Sequence, residues 1–311
     1  MRDQMVAYLF AGQGSQYIGM GKDLYEAFPE SKAVFDLADQ VLGFPLSKLC
    51  FEGPLEELTK TNNSQPAILT ATIAAFEAYK TVMPAEIEQL QCAAGLSLGE
   101  YSALVAMDSV DFDHAVYLVR QRGEFMEEEA QKRPGKMASI IGLDLALVKE
   151  VCAESHTEIA NINSPGQIVI SGGPAEMEQA VKIAEGKGAK RVVMLEVSGA
   201  FHSSFMNPVS SRLAKELYGL FLRPPTAPIV CNVTAQAVND PDELKKNLIK
   251  QVSSTVLWED SMRLMLSKGV TNFVEFGPGR VLKGLMRRID DKAQVVSIEK
   301  KEDILKIAGK S

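Results

Sequence analysis

Short apolar runs alternate along this chain with segments whose apolar residues recur every three to four positions. Val6–Phe10 is an unbroken apolar run that stops at Gly12, which predicts a first buried β-strand followed by a glycine-rich turn. Residues 23–42 predict one or two helices around Pro29. Residues 65–83 are apolar at helical spacing, and Pro66 would fall in the first turn, where its missing N–H costs nothing. Residues 91–96 predict a short strand, and 100–105 the start of a helix. A further helix over 114–131 runs out at the polar stretch 131–134.

The pattern changes after Pro134. Strand 137–143, helix 144–154, strands 158–163 and 167–171 around Ser164-Pro165-Gly166, helix 174–185 and strand 191–197 follow in turn. This β-α-β-β-α-β order is the ferredoxin-like pattern. Alternation then resumes with helix 208–221, strand 229–232, helices 241–251 and 258–267, strand 272–275, helix 281–289 and strand 295–298. The expectation is an α/β protein whose core, 1–134 and 199–311, is interrupted by a small α+β subdomain at 135–198. A length of 311 residues fits two such units at roughly 150 residues per domain.

Composition narrows the function classes. A hydrophobic fraction of 46% is ordinary for a globular chain. The 33 basic and 40 acidic side chains leave a net charge of −7, so nothing global draws the protein to nucleic acid or an anionic membrane. No apolar run reaches the ~18 residues of a membrane span, and the first one is too short for a signal-peptide core. Cys50, Cys92, Cys152 and Cys231 are scattered, with neither zinc-site nor disulfide-framework spacing. No metal site is expected, and the expected compartment is reducing, the cytoplasm.

Candidate chemistry begins with Gly95-Leu96-Ser97-Leu98-Gly99, placed between a predicted strand and a predicted helix. That context makes G-x-S-x-G a nucleophile elbow, with the serine hydroxyl exposed at a helix N-terminus and the Leu98 N–H facing an oxyanion. A serine needs a base. Of the three histidines, His114 and His156 read as solvated, and His202 lies where the chain re-enters the core. The group that orients the imidazole is open at this level: Asp111, Asp113, Asp144 or a backbone carbonyl. The first turn, Gly12-Gln13-Gly14-Ser15-Gln16, is neither a dinucleotide fingerprint nor a phosphate-binding loop, but suits a second oxyanion donor. Arg120, Arg122 and Glu124 share one helix. Helical arginines are mostly exposed, and the functional alternative is bidentate capture of a carboxylate.

Together these residues resemble the malonyl-CoA:acyl-carrier-protein transacylase family. The likeness runs from Phe10-Ala11-Gly12-Gln13-Gly14-Ser15-Gln16 to Phe276-Gly277-Pro278-Gly279. Between them lie Asn63-Ser64-Gln65-Pro66-Ala67, Gly95-Leu96-Ser97-Leu98-Gly99-Glu100, Arg120-Gln121-Arg122-Gly123, Asn163-Ser164-Pro165-Gly166-Gln167 and Gly199-Ala200-Phe201-His202-Ser203-Ser204. The resemblance implies an α/β-hydrolase-like core with a ferredoxin-like insertion. It implies Ser97 as acylated nucleophile, His202 as base, Arg122 as partner of the malonyl carboxylate, and the amides of Gln13 and Leu98 as oxyanion hole. Gln251 would orient the histidine through its main-chain carbonyl, and Gln65, Asn163 and Phe201 would line the site. Two departures stand out: Leu96 where many members carry histidine, and Thr255-Val256-Leu257-Trp258 where Pro-Val-Gln-Trp is usual.

The implied partners are malonyl-CoA, as substrate rather than cofactor, and acyl carrier protein, acting on a single subunit. Both partners are anionic. The candidate receiving clusters are Lys187, Lys190 and Arg191 in the small subdomain, and Arg280, Lys283, Arg287 and Arg288 on the last predicted helix. Fatty-acid synthesis is the expected setting. The alternatives are a malonyl transferase serving a polyketide synthase, an acyl hydrolase on the same scaffold, or a carrier-docking subunit with a decayed site.

Overall fold

The computed structural model describes residues 5–83 and 90–309. Its centre is β1 (Val6–Phe10), buried on both faces as an unbroken apolar strand must be. Side chains alternate across a strand. Tyr8 and Phe10 therefore enter one core with Phe76, Tyr79 and Phe276, while Ala7 and Leu9 enter a second with Trp258, Met262 and Met286. Tyr8 meets Phe76, Tyr79 and Phe276 edge to face, at centroid separations of 5.9, 6.0 and 5.2 Å.

Five helices follow: α1 (Lys22–Ala27), α2 (Pro29–Leu42), α3 (Leu46–Glu52), α4 (Leu55–Thr59) and α5 (Thr61–Val82). Then come β2 (Leu90–Gly95), α6 (Gly99–Ala106) and α7 (Phe112–Lys132). The middle segment holds β3 (Lys136–Ile141), α8 (Leu145–Ser155), β4 (Glu158–Ser164), β5 (Gln167–Gly172), α9 (Pro174–Gly186) and β6 (Arg191–Met194). The remainder comprises α10 (Asn207–Gly219), β7 (Ile229–Val230), β8 (Ala237–Val238), α11 (Pro241–Gln251), α12 (Trp258–Ser267), β9 (Asn272–Phe276), α13 (Val281–Ile289), β10 (Gln294–Ile298) and α14 (Lys301–Ile307).

The larger sheet runs β10-β9-β1-β2-β7-β8, parallel except for β8. The smaller runs β4-β5-β3-β6 with antiparallel pairing throughout, the ferredoxin-like arrangement of a β-α-β-β-α-β unit. In a parallel sheet, ligands gather beyond the carboxyl ends of the strands. The ends of β1, β2 and β7 deliver Gly12, Ser97 and Asn232 to one side.

Three differences from the sequence reading have physical causes. Helices α3 and α4 are too short for the helical period to repeat, and Pro45, Gly53 and Pro54 around them read as loop. Strand β7 ends at Val230 instead of 232, which frees Asn232 to turn inward. Helix α5 begins at Thr61, so Pro66 lies inside it. A proline there leaves the carbonyl four residues earlier without a helical donor. Arg120 supplies one, since its Nη1 donates to Asn62 O at 2.9 Å.

Candidate active site

Ser97 sits between β2 and α6 with φ at 51°, a left-handed backbone that a serine adopts only when its surroundings impose it. Asn232 imposes much of it. Its Oδ1 accepts the Ser97 N–H at 2.7 Å, and its Nδ2 donates to Gly95 O at 2.8 Å. Gln251 Nε2 donates to Ser97 O at 2.9 Å. The flanking glycines allow the turn to close. A Cβ on Gly95 would lie 1.8 Å from the Gly99 carbonyl carbon, and one on Gly99 would lie 2.2 Å from Phe10 O. Gly95→Ala is therefore expected to cost about 3 kcal/mol or more, read as a lowered urea midpoint. An unchanged midpoint would show that the elbow relaxes freely.

Ser97 Oγ lies 2.8 Å from His202 Nε2, and His202 Nδ1 lies 2.8 Å from Gln251 O. A carbonyl can only accept, so Nδ1 carries the proton and Nε2 presents its lone pair to the serine. His202 is only 6% exposed. Burial, and then the Arg122 charge, lower its pKa to about 4, so the ring is neutral at physiological pH and available as a base. The three aspartates that sequence order allows are engaged elsewhere. Asp111 pairs with Arg223, Asp113 lies beside His114, and Asp144 caps α8. His114 and His156 are exposed.

Arg122 departs from the usual exposed helical arginine, at 1% exposure on α7. Its Nη1 donates to Gln65 Oε1 at 2.6 Å, and its Nη2 donates to Gln251 Oε1 at 3.0 Å and to Ser97 Oγ at 3.1 Å. Among the described residues its Nε has no acceptor. All three acceptors are neutral, so among the described residues no carboxylate hydrogen-bonds this cation; burial works against its charge, and Tyr101 and the nearby Glu100 support it. Arg120, two residues away, is spent on structure, bonding Glu124, Asn62 O and Asn63.

The other expected residues divide. Gln65 reaches Arg122, and Phe201 is buried beside His202. Asn163 lies on β4, mostly buried, without a hydrogen bond to the serine, histidine or arginine. The loops carrying Gln13 and Leu98 meet where Leu96 N–H donates to Phe10 O at 3.1 Å. Among the described residues, neither the Gln13 nor the Leu98 N–H donates to a protein acceptor, which leaves both able to bind an oxyanion.

The basic clusters also change. Lys187 is held by Glu150 and Glu154, and Arg280 by Glu299 and Asp303. Lys190, Arg191, Lys283 and Arg287 are exposed and enter none of the ion pairs among the described residues. Arg288 on α13 bonds Gln167 at the start of β5, which joins the last predicted helix to the small subdomain. The sequence reading gives neither Asn232 nor Glu100 a role in the site, and its predicted strand 229–232 runs through Asn232. Glu100 follows the elbow in a helical first turn, where an acidic residue is ordinary.

Residues 7–300 match the acyl transferase domain family. The malonyl CoA-acyl carrier protein transacylase of Bacillus subtilis (strain 168) is 44% identical over 306 residues, covering 96% of this chain and 95% of that protein. The protein of the same name from Escherichia coli (strain K12) is 40% identical over 292 residues, covering 92% of this chain and 93% of its own length. The acyl-carrier-protein-S-malonyltransferase from Bartonella henselae superposes with a TM-score of 0.94 at 37% identity, covering 98% of this chain and 100% of that one. A malonyl-transacylase solved in complex with its type II polyketide synthase acyl-carrier protein gives 0.93 at 35% identity, covering 99% and 100%. With its elbow serine, paired histidine and buried arginine, the chain belongs to the acyl transferase domain family, among the malonyl CoA-acyl carrier protein transacylases.

Proposed function

We propose that this acyltransferase moves a malonyl group from malonyl-CoA to the phosphopantetheine thiol of acyl carrier protein through an ester on Ser97, supplying extender units for fatty-acid synthesis. The observation that carries the substrate is the Arg122 guanidinium, buried 3.1 Å from the nucleophile among neutral acceptors. A malonyl carboxylate supplies the missing anion, and an acetyl group does not.

His202 Nε2 takes the Ser97 proton as Oγ attacks the thioester carbonyl. Arg122 Nη2, donating to the same Oγ, stabilises its growing negative charge. The Gln13 and Leu98 amides receive the tetrahedral oxyanion, a contribution of about 3–4 kcal/mol per donor in comparable sites. The intermediate collapses, CoA departs through its sulfur, and the imidazolium returns the proton to that sulfur. In the second half, the carrier thiol gives its proton to His202 and attacks the ester, and Ser97 regains its hydrogen. Phe201 crowds the α-carbon and favours malonyl over a branched methylmalonyl group.

Lys190, Arg191, Lys283 and Arg287 form the rim that receives CoA phosphates or an acidic carrier, with 135–198 acting as one wall of the cleft. Four buried free thiols fit a reducing compartment such as the cytoplasm. Among the described residues no helix is long and apolar enough to cross a membrane.

Transfer is distinguished from hydrolysis by adding a holo acyl carrier protein to the malonyl-loaded enzyme and weighing the products. Malonyl carrier is expected to form faster than free malonate. Free malonate as the main product, with carrier present, would reassign the chain to hydrolysis.

A further inference from the structure

Glu100 is 2% exposed in the first turn of α6, and its carboxylate oxygens serve different partners. Oε1 accepts the Asn232 backbone N–H at 3.1 Å, and Oε2 accepts the Gln251 side-chain amide in a short bond. Asn232 holds the Ser97 N–H and Gly95 O through its side chain. Gln251 holds Arg122 through Oε1 and His202 through its main-chain oxygen. One carboxylate thus stands a single residue away from the nucleophile, the base and the guanidinium. None of the steps above uses it.

We propose that Glu100 is a positioning residue: as a double acceptor it fixes, together with the Ser97 main-chain oxygen, which way the Gln251 amide points, and so presents Arg122 to the malonyl carboxylate. This rests on the role given to Arg122 above. A side-chain amide has one donating and one accepting end. With its NH₂ on Glu100, Gln251 turns its oxygen to Arg122, which can only donate. Turned over, it would set NH₂ against guanidinium, two donors facing each other in a buried site. Only a group that accepts at both oxygens satisfies the Asn232 N–H and the Gln251 NH₂ together. A protonated acid or a glutamine surrenders one of them.

The ionisable groups facing Glu100 are Arg122 from α7, Tyr101 from its own helix and Cys231 just beyond β7. Burial pushes the Glu100 carboxyl up to about 7, against the opposing hydrogen bonds from Gln251 and Asn232 and the Arg122 charge. Malonyl loading should therefore strengthen as pH rises through about 7, well clear of the His202 ionisation near 4.

The test is Glu100→Gln, which keeps the shape and removes one acceptor. Ser97 acylation by malonyl-CoA and by acetyl-CoA is followed by rapid quench across pH, with thermal melting as the check on folding. At about pH 8, the variant's malonyl kcat/KM is expected to fall about 10- to 100-fold, the scale of a hydrogen bond to a charged group, chiefly through KM. Acetyl loading should change far less, and the rise through pH 7 should vanish. A folded variant with unchanged selectivity and pH profile would overturn the proposal. Wild-type enzyme that takes no malonyl group at all would instead defeat the functional reading beneath it.

Discussion

Brief mixing with malonyl-CoA is expected to add the mass of one malonyl group to the intact protein, and Ser97→Ala to abolish the adduct. The left-handed Ser97 backbone, clamped by Asn232 and Gln251, aims Oγ at a neutral His202 Nε2 2.8 Å away. Deleting that oxygen removes the only atom in this arrangement placed to carry the acyl group. Turnover should fall by about 10⁴-fold or more, as when a serine nucleophile is removed from a comparable pair. Two outcomes count against the mechanism: no adduct on wild type, or an adduct that survives the substitution.

Arg122→Ala should have the second largest effect, and it should be selective. Removing one partner from a buried charge pair costs about 3–5 kcal/mol, or about 10²- to 10³-fold and upward in kcat/KM for malonyl-CoA. Acetyl-CoA brings no carboxylate to the guanidinium, so its loading should lose only the Nη2 contact to Ser97 Oγ and fall far less. The ratio of malonyl to acetyl turnover should collapse, and Gln65 and Gln251 should lose the donor that orients them. Wild type that loads both thioesters equally, or a variant that keeps the ratio, would show that Arg122 does not select the substrate.

Much of this was legible in the chain because local patterns carried it. The β-α-β-β-α-β order of the middle segment needs only local periodicity, and the ferredoxin-like sheet formed as expected. The elbow announces itself because a strand, a helix and two glycines meet within five residues. Arg122 was harder. Its helix reads as amphipathic, and nothing local separates it from Arg120, two positions earlier. What separates them is long-range: Gln65 and Gln251 converge on one, and an orphaned carbonyl behind Pro66 claims the other. The roles of Glu100 and Asn232 were not legible for the same reason, since their partners lie more than a hundred residues away along the chain. The charge clusters show the reverse error. Read from spacing alone, Lys187 and Arg280 look available, but nearby acidic residues occupy both.

The imidazole of His202 is anchored by a peptide oxygen, not by a carboxylate side chain. Every amino acid brings that oxygen, so the third member of this trio cannot be deleted by substitution. Drift at position 251 can shift it, but never erase it. A neutral anchor also leaves the imidazolium with less stabilisation than an aspartate would give. That suits a chemistry whose departing group is a thiol. Sulfur leaves readily with little proton assistance, so a weak, quickly discharged acid is sufficient. In the proposed reaction both half-reactions exchange a sulfur ester for an oxygen ester or back again, so one neutral base can serve both.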